Sequence, residues 1–268
     1  MKAVLFWVSP TFRLTGSTIN AIEYFLAGYE HNPELKLILL NGTKSFRRKL
    51  LKIIFERYDM KGLTNAVHNI ICQNKFDLPS LKFDTVLILD YMTINQAKGI
   101  IRAKNIIVIS EKHSDNPEYF LDKSLYNVIY YGEMPFHYKD YEYKMKCLFQ
   151  RYKPLKMECE GTYINSPRND RFDIDLFQFP APFIFKSKTT PKENLFEHFT
   201  HYVYYHANKW FDPHPRLFLE CKFYNKKMFY LNPSNIKDGS WYRWRDVQIN
   251  GIENRTLSKE DEIIRRLL

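Results

Sequence analysis

At 268 residues, with 45% hydrophobic and 26% charged side chains, the chain is long enough for one large or two small globular domains and too apolar to be disordered. Its 9 Gly and 13 Pro exclude a collagenous or low-complexity chain. The net charge of +10 suits an anionic partner (nucleic acid, a phosphorylated substrate or an anionic membrane surface) and equally the plain alternative of a lysine-rich codon bias.

The first half alternates strand and helix signals. Ala3 to Val8 is a short apolar run and predicts a strand. A polar loop from Ser9 to Ser17 follows, then a helix from Thr18 to Tyr29 with Ile19, Ile22, Phe25 and Leu26 on one face. Leu35 to Leu40 predicts a second buried strand, stopped by Asn41-Gly42. Ser45 to Tyr58 predicts an amphipathic basic helix, and strands follow at Ala66 to Cys72 and Thr85 to Leu89. Thr93 to Ala103 reads as a helix, Ile106 to Ile109 and Val128 to Tyr131 as strands. Continuous apolar strands separated by helices predict an α/β fold with a parallel sheet covered on both faces.

Tyr138 to Met157 reads as a connecting helix and loop, so the domain boundary is expected near residue 150, giving halves of 1–150 and 151–268. The second half repeats the plan. Strands are expected at Gly161 to Asn165, Pro182 to Lys186, Tyr202 to His206 and Met228 to Leu231, and a helix at Asn194 to Phe199. After the turn Asp212-Pro213-His214-Pro215, apolar residues at helical spacing (Leu217, Phe218, Cys221) predict a helix. A last helix runs from Ser258 to Leu268, with Glu260, Asp261 and Glu262 in its first turn and Arg265 and Arg266 in its last.

Cys72, Cys147, Cys159 and Cys221 form no Cys-x-x-Cys pair and read as free thiols of a reducing compartment. The N-terminal apolar run is too short for a signal segment, and no run approaches the roughly 20 residues that span a bilayer. The expectation is a soluble, cytoplasmic protein. His198, His201, His206 and His214 fit no metal-ligand spacing.

In open parallel sheets, ligands sit beyond the C-terminal ends of the strands. In the first half this rule selects Gly16 and Ser17 after the first strand, Asp90 after the fourth, and Glu111-Lys112-His113 after the fifth. Asp90 is placed either to act as a partly desolvated general base or to cap the following helix. Gly16 and Ser17 suit close approach of a sugar or phosphate at a helix N-terminus, or simply a capped βα turn. In the second half the rule selects Arg168, Lys186, Lys188, His206 and the Asp212 to Glu220 segment. Arg168, Lys186 and Arg216 along one sheet edge suit a diphosphate, whose charge fixed cations stabilise. Arg216 and Glu220 are spaced to share a helix face, the carboxylate one turn after the cation. Arg47, Arg48 and Lys52 of the basic helix suit nucleic-acid phosphates, an anionic membrane surface or a solvated face.

The residues Phe211-Asp212-Pro213-His214-Pro215-Arg216-Leu217-Phe218-Leu219-Glu220-Cys221, with Asn165-Ser166-Pro167-Arg168 and Phe185-Lys186-Ser187-Lys188, resemble the GT-B class of glycosyltransferases, in particular small bacteriophage-encoded members. The resemblance implies two Rossmann-like domains with parallel sheets facing a central cleft, the acceptor in the first and a nucleotide-sugar in the second. It implies Glu220 on the donor ribose, Arg216 and Lys186 on the diphosphate, and Asp90 as base if the sugar inverts. The donor is expected to be a UDP-sugar, with no tightly bound cofactor and no obligatory divalent metal. Some relatives in that class glycosylate hydroxymethylated pyrimidines in phage DNA, so the acceptor is expected to be double-stranded DNA. The alternatives are a cell-surface glycan or lipid-linked acceptor, and a non-catalytic nucleic-acid-binding module.

Overall fold

The computed structural model describes residues 1–8, 16–89, 91–97, 99–110, 127–132, 151–165, 182–185, 195–205, 216–231, 265 and 267. The chain divides into two compact units: Met1–Glu133 together with Lys259–Leu268, and Met134–Ser258. Relative to a boundary at residue 150, the first unit ends earlier and recovers the C-terminal residues.

The first unit holds six parallel strands: β1 (Lys2–Trp7), β2 (Lys36–Leu40), β3 (Ile70–Gln73), β4 (Phe83–Leu89), β5 (Ala103–Ser110) and β6 (Asn127–Gly132), in the order β3-β2-β1-β4-β5-β6. This is the doubly wound, Rossmann-like order. In β1, β2 and β4 consecutive residues are buried rather than every second one, because both faces of the sheet are covered. One face carries Ala3, Leu5, Ile38, Leu40, Val86, Ile88, Ile106 and Val108, packed with Ile94 and Ala97 of α3 (Tyr91–Ala97).

Helix α1 (Gly16–Tyr29) packs on β1 and β2. The sequence predicts one buried face, yet Ile19, Ala21, Ile22, Tyr24, Phe25, Leu26 and Ala27 are all buried, as is Glu23. Glu23 is satisfied: its Oε1 accepts from the Tyr58 hydroxyl at 2.7 Å. Part of the extra cover is Leu267, fully buried, whose carbonyl accepts from Asn32 Nδ2 at 3.2 Å. Of the expected C-terminal helix, Arg265 and Leu267 are among the described residues, and both are helical.

Helix α2 (Lys44–Arg57) starts where Thr43 caps it: the Thr43 Oγ1 accepts from the Phe46 N–H at 3.1 Å. It buries Phe46, Leu50 and Ile54, spaced by four residues, against the unit. Three expectations shift. The strand predicted over Ala66 to Cys72 begins at Ile70, after a 3-10 turn at Thr64–Asn69. The helix predicted to reach Ala103 stops at Ala97, and Ala103 opens β5 instead. A second 3-10 turn, Lys75–Ser80, stands where no element was expected.

The second unit holds four parallel strands, β7 (Thr162–Asn165), β8 (Phe183–Phe185), β9 (His201–Tyr205) and β10 (Lys227–Leu231), in the order β10-β9-β7-β8. Helix α4 (Arg216–Phe223) lies between β9 and β10 in the chain. The helix predicted at Asn194 to Phe199 is a single 3-10 turn, Leu195–Glu197. Aromatic packing dominates this small core. Tyr163 stacks on Phe199 at 5.2 Å between ring centroids and on Tyr202 at 6.1 Å, and Phe196 meets Tyr224 at 5.0 Å.

Candidate functional site

Strand order fixes where each sheet can take a ligand. A crevice opens where neighbouring strands send their connections to opposite faces. In the first unit that switch lies between β1 and β4. The end of β1 is tied here to the helix that follows β4: the Trp7 N–H donates to Thr93 Oγ1 at 2.8 Å, and Thr93 is fully buried on α3. Gly16 and Ser17, expected in the loop before a helix starting at Thr18, are instead the first two residues of α1, the helix following β1. Asp90 lies outside the described residues, with Leu89 closing β4 before it and Tyr91 opening α3 after it. Glu111, Lys112 and His113 also lie outside them.

In the second unit the switch lies between β7 and β9. Arg168 follows the end of β7 by three residues and Lys186 directly follows Phe185 of β8. Arg168, Lys186, Lys188, His206 and residues 206–215 lie outside the described residues. Helix α4 follows the switch strand β9 and opens with Arg216, so the predicted helix start stands where the spacing placed it. Glu220 sits one turn later and is 2% exposed. Its neighbour Cys221 is fully buried, and burial pushes that thiol well above its usual range, leaving it an inert core residue rather than a nucleophile. Burial, with the nearby Cys221 second, likewise pushes the Tyr163 hydroxyl up to about 12.

The opposite, N-terminal edge of this sheet is structural. The Lys226 ammonium is buried, pairs with Glu158 and stands 5.4 Å from the centre of the Phe199 ring. His201, at the start of β9, holds its Nδ1 2.8 Å from Thr200 Oγ1. Burial and then the Lys227 charge lower its pKa. Gly161 lies between two backbone carbonyls. A Cβ there would stand 2.7 Å from the His198 oxygen and 3.2 Å from that of Pro182. Among the described residues no cluster of three His, Cys, Asp or Glu side chains is placed to hold a metal ion.

The basic face of α2 is not uniform. Arg47 is committed to the fold: Nε donates to the Ile70 carbonyl and Nη2 to the Val67 carbonyl, each at 2.6 Å. Arg48 and Lys52 are exposed, with Lys52 at 3.5 Å from Glu56. The sequence treats the three alike. Only the position of the β3 connection shows that Arg47 is spent on carbonyls.

Two residues at the C-terminal edge of the first unit's sheet stand outside the candidates that the sequence offers. The Lys75 ammonium donates to Gln96 Oε1 at 3.1 Å and stands 5.9 Å from the Trp7 ring and 5.3 Å from the Phe76 ring. Phe76 itself is 77% exposed. The available signal is an aromatic residue inside the polar stretch Gln73-Asn74-Lys75-Phe76-Asp77, which follows the short apolar run Ile70-Ile71-Cys72.

No protein-family model and no curated protein sequence matches the chain. No helix among the described residues is long and apolar enough to cross a membrane.

Proposed function

We propose that the protein transfers a sugar from a nucleotide-diphosphate donor to a hydroxyl acceptor, in the manner of the GT-B glycosyltransferases. The observation that carries this reading is the second sheet's switch between β7 and β9, with α4 opening on Arg216 and bearing the buried Glu220 one turn later. A helix start offers unpaired N–H groups and partial positive charge to a diphosphate, and a guanidinium adds a fixed cation. A carboxylate in low-dielectric surroundings accepts strong hydrogen bonds from ribose hydroxyls. Arg168 and Lys186, carried by the connections after β7 and β8, supply further charge for the leaving diphosphate. The first unit's switch, with Gly16, Ser17 and Asp90, takes the acceptor, and Asp90 removes its proton. The exposed cations of α2 favour a polyanionic acceptor such as DNA.

The test is thermal melting with a panel of nucleoside diphosphates and UDP-sugars. A ligand of the native state stabilises it by about 2.7 kcal/mol at a hundred times its dissociation constant. One nucleotide should raise Tm in the wild type, less in Arg216→Gln and Glu220→Gln, and as before in Asp90→Asn, which should lose turnover instead. A panel in which no nucleotide moves Tm would remove the donor site and with it the transferase.

A further inference from the structure

Phe76 is a surface residue. Its ring is 77% exposed, while its backbone is fixed: the Phe76 N–H donates to Asn74 Oδ1 at 3.1 Å, locking the turn. Scattered surface aromatics are ordinary. This one differs by its setting. It stands on the C-terminal edge of a doubly wound sheet, where such folds bind ligands. A cation stands beside it, since the Lys75 ammonium lies 5.3 Å from its ring and 5.9 Å from that of Trp7, the last residue of β1. Lys75 spends one donor on Gln96, and an ammonium has three.

The same edge carries more charge. β2 and β3 are neighbours, paired Leu40 to Gln73, and the Asn41 N–H donates to the Gln73 carbonyl at 2.8 Å. The connections leaving both strands therefore start side by side. One leads to Lys75 and Phe76. The other leads to Lys44, the exposed first residue of α2, with exposed Arg48 one turn further. An exposed aromatic ring with one cation beside it, on a sheet edge whose neighbouring connection carries two more, matches a nucleobase between phosphates. A base within a duplex has both faces stacked on its neighbours, so the platform selects unpaired strands.

We propose that this edge binds single-stranded nucleic acid, one base stacked on Phe76 and the adjoining phosphates held by Lys75, Lys44 and Arg48. The site shares exposed cations of α2 with the acceptor proposed above, yet its ligand needs no sugar donor and differs from the nucleotides that report on α4.

The test is fluorescence anisotropy of a labelled oligothymidylate of about 12 nucleotides at about 50 mM salt, set against a duplex of equal length and anionic vesicles as competitors. The wild type should bind the single strand more tightly than the duplex. Phe76→Ala should weaken binding about tenfold with Tm unchanged, since the ring is exposed. Lys44→Gln with Lys75→Gln should reduce the slope of log affinity against log salt by about 1.4, the loss of two phosphate contacts. Equal affinity of Phe76→Ala and wild type would overturn the proposal. So would tighter binding of the duplex, displacement by vesicles at lower charge concentration than by unlabelled oligonucleotide, or no binding at all.

Discussion

Asp84 shows how far one exposed carboxylate is set by its neighbours. Its Oδ1 accepts from Lys104 and its Oδ2 from the Met1 ammonium, each at 2.7 Å. The Lys104 hydrogen bond, then that of the ammonium, holds the carboxyl down at about 2. A depressed folded-state value means that the unfolded chain takes up the proton first. The stabilisation is complete above the unfolded value of about 4 and is lost as pH falls towards 2. The Tm difference between wild type and Asp84→Asn should therefore be constant near neutrality, narrow below about pH 4 and vanish only below about pH 2. Gly161 makes a second case, decided by space rather than charge. Because the atoms facing it are backbone oxygens of His198 and Pro182, no side chain can swing aside. Gly161→Ala should cost about 2 kcal/mol in denaturant titration, the scale of overpacking a tight core.

At the scale of the element, α2 combines a local start signal with a distant restraint. Thr43 supplies the first, accepting from Phe46 N–H. Thr43→Ala should destabilise by about 1 kcal/mol, read as a shift of the denaturation midpoint at constant slope. Arg47 supplies the second, through the Ile70 and Val67 carbonyls. The expectation that Arg47 belongs with Arg48 and Lys52 as a phosphate contact rests on charge periodicity, which cannot see an acceptor twenty residues away in sequence. Helix α4 is the converse. Pro215 before it and apolar spacing within it place its start at Arg216, and the helix forms there.

Across the whole molecule, the C-terminal residues matter more than their distance in sequence suggests. Lys259–Leu268 belong with the first unit, and Leu267 reaches Asn32 and lies near Gly28 on α1. Leu267 is fully buried, so the end of the chain adds to the first unit's core. Leu267→Ala should cost about 3 kcal/mol, within the range for a buried leucine. Hydrogen exchange should show α1 amides losing protection in that variant, while those of β9 and β10 keep theirs. Loss spread equally over both units would show that the helix supports more than the first.

The sequence by itself determined the strands. Runs such as Val4-Leu5-Phe6 and Val86-Leu87-Ile88-Leu89 have no polar alternation, and only a sheet covered on both faces buries them. It determined the start of α4, because proline chemistry and apolar spacing are local. The tertiary structure alone decided which strands are neighbours, hence that the edges of β1 and β4, and of β7 and β9, are the places where connections part. It decided that α1 is buried on more than one face, since part of its cover comes from Tyr58 and Leu267, remote in sequence. It also separated Arg47, held by carbonyls, from Lys75 and Phe76, presented at an edge. Hydrophobic period and turn chemistry act within a few residues, whereas strand order and the partner of a charge depend on contacts across the chain.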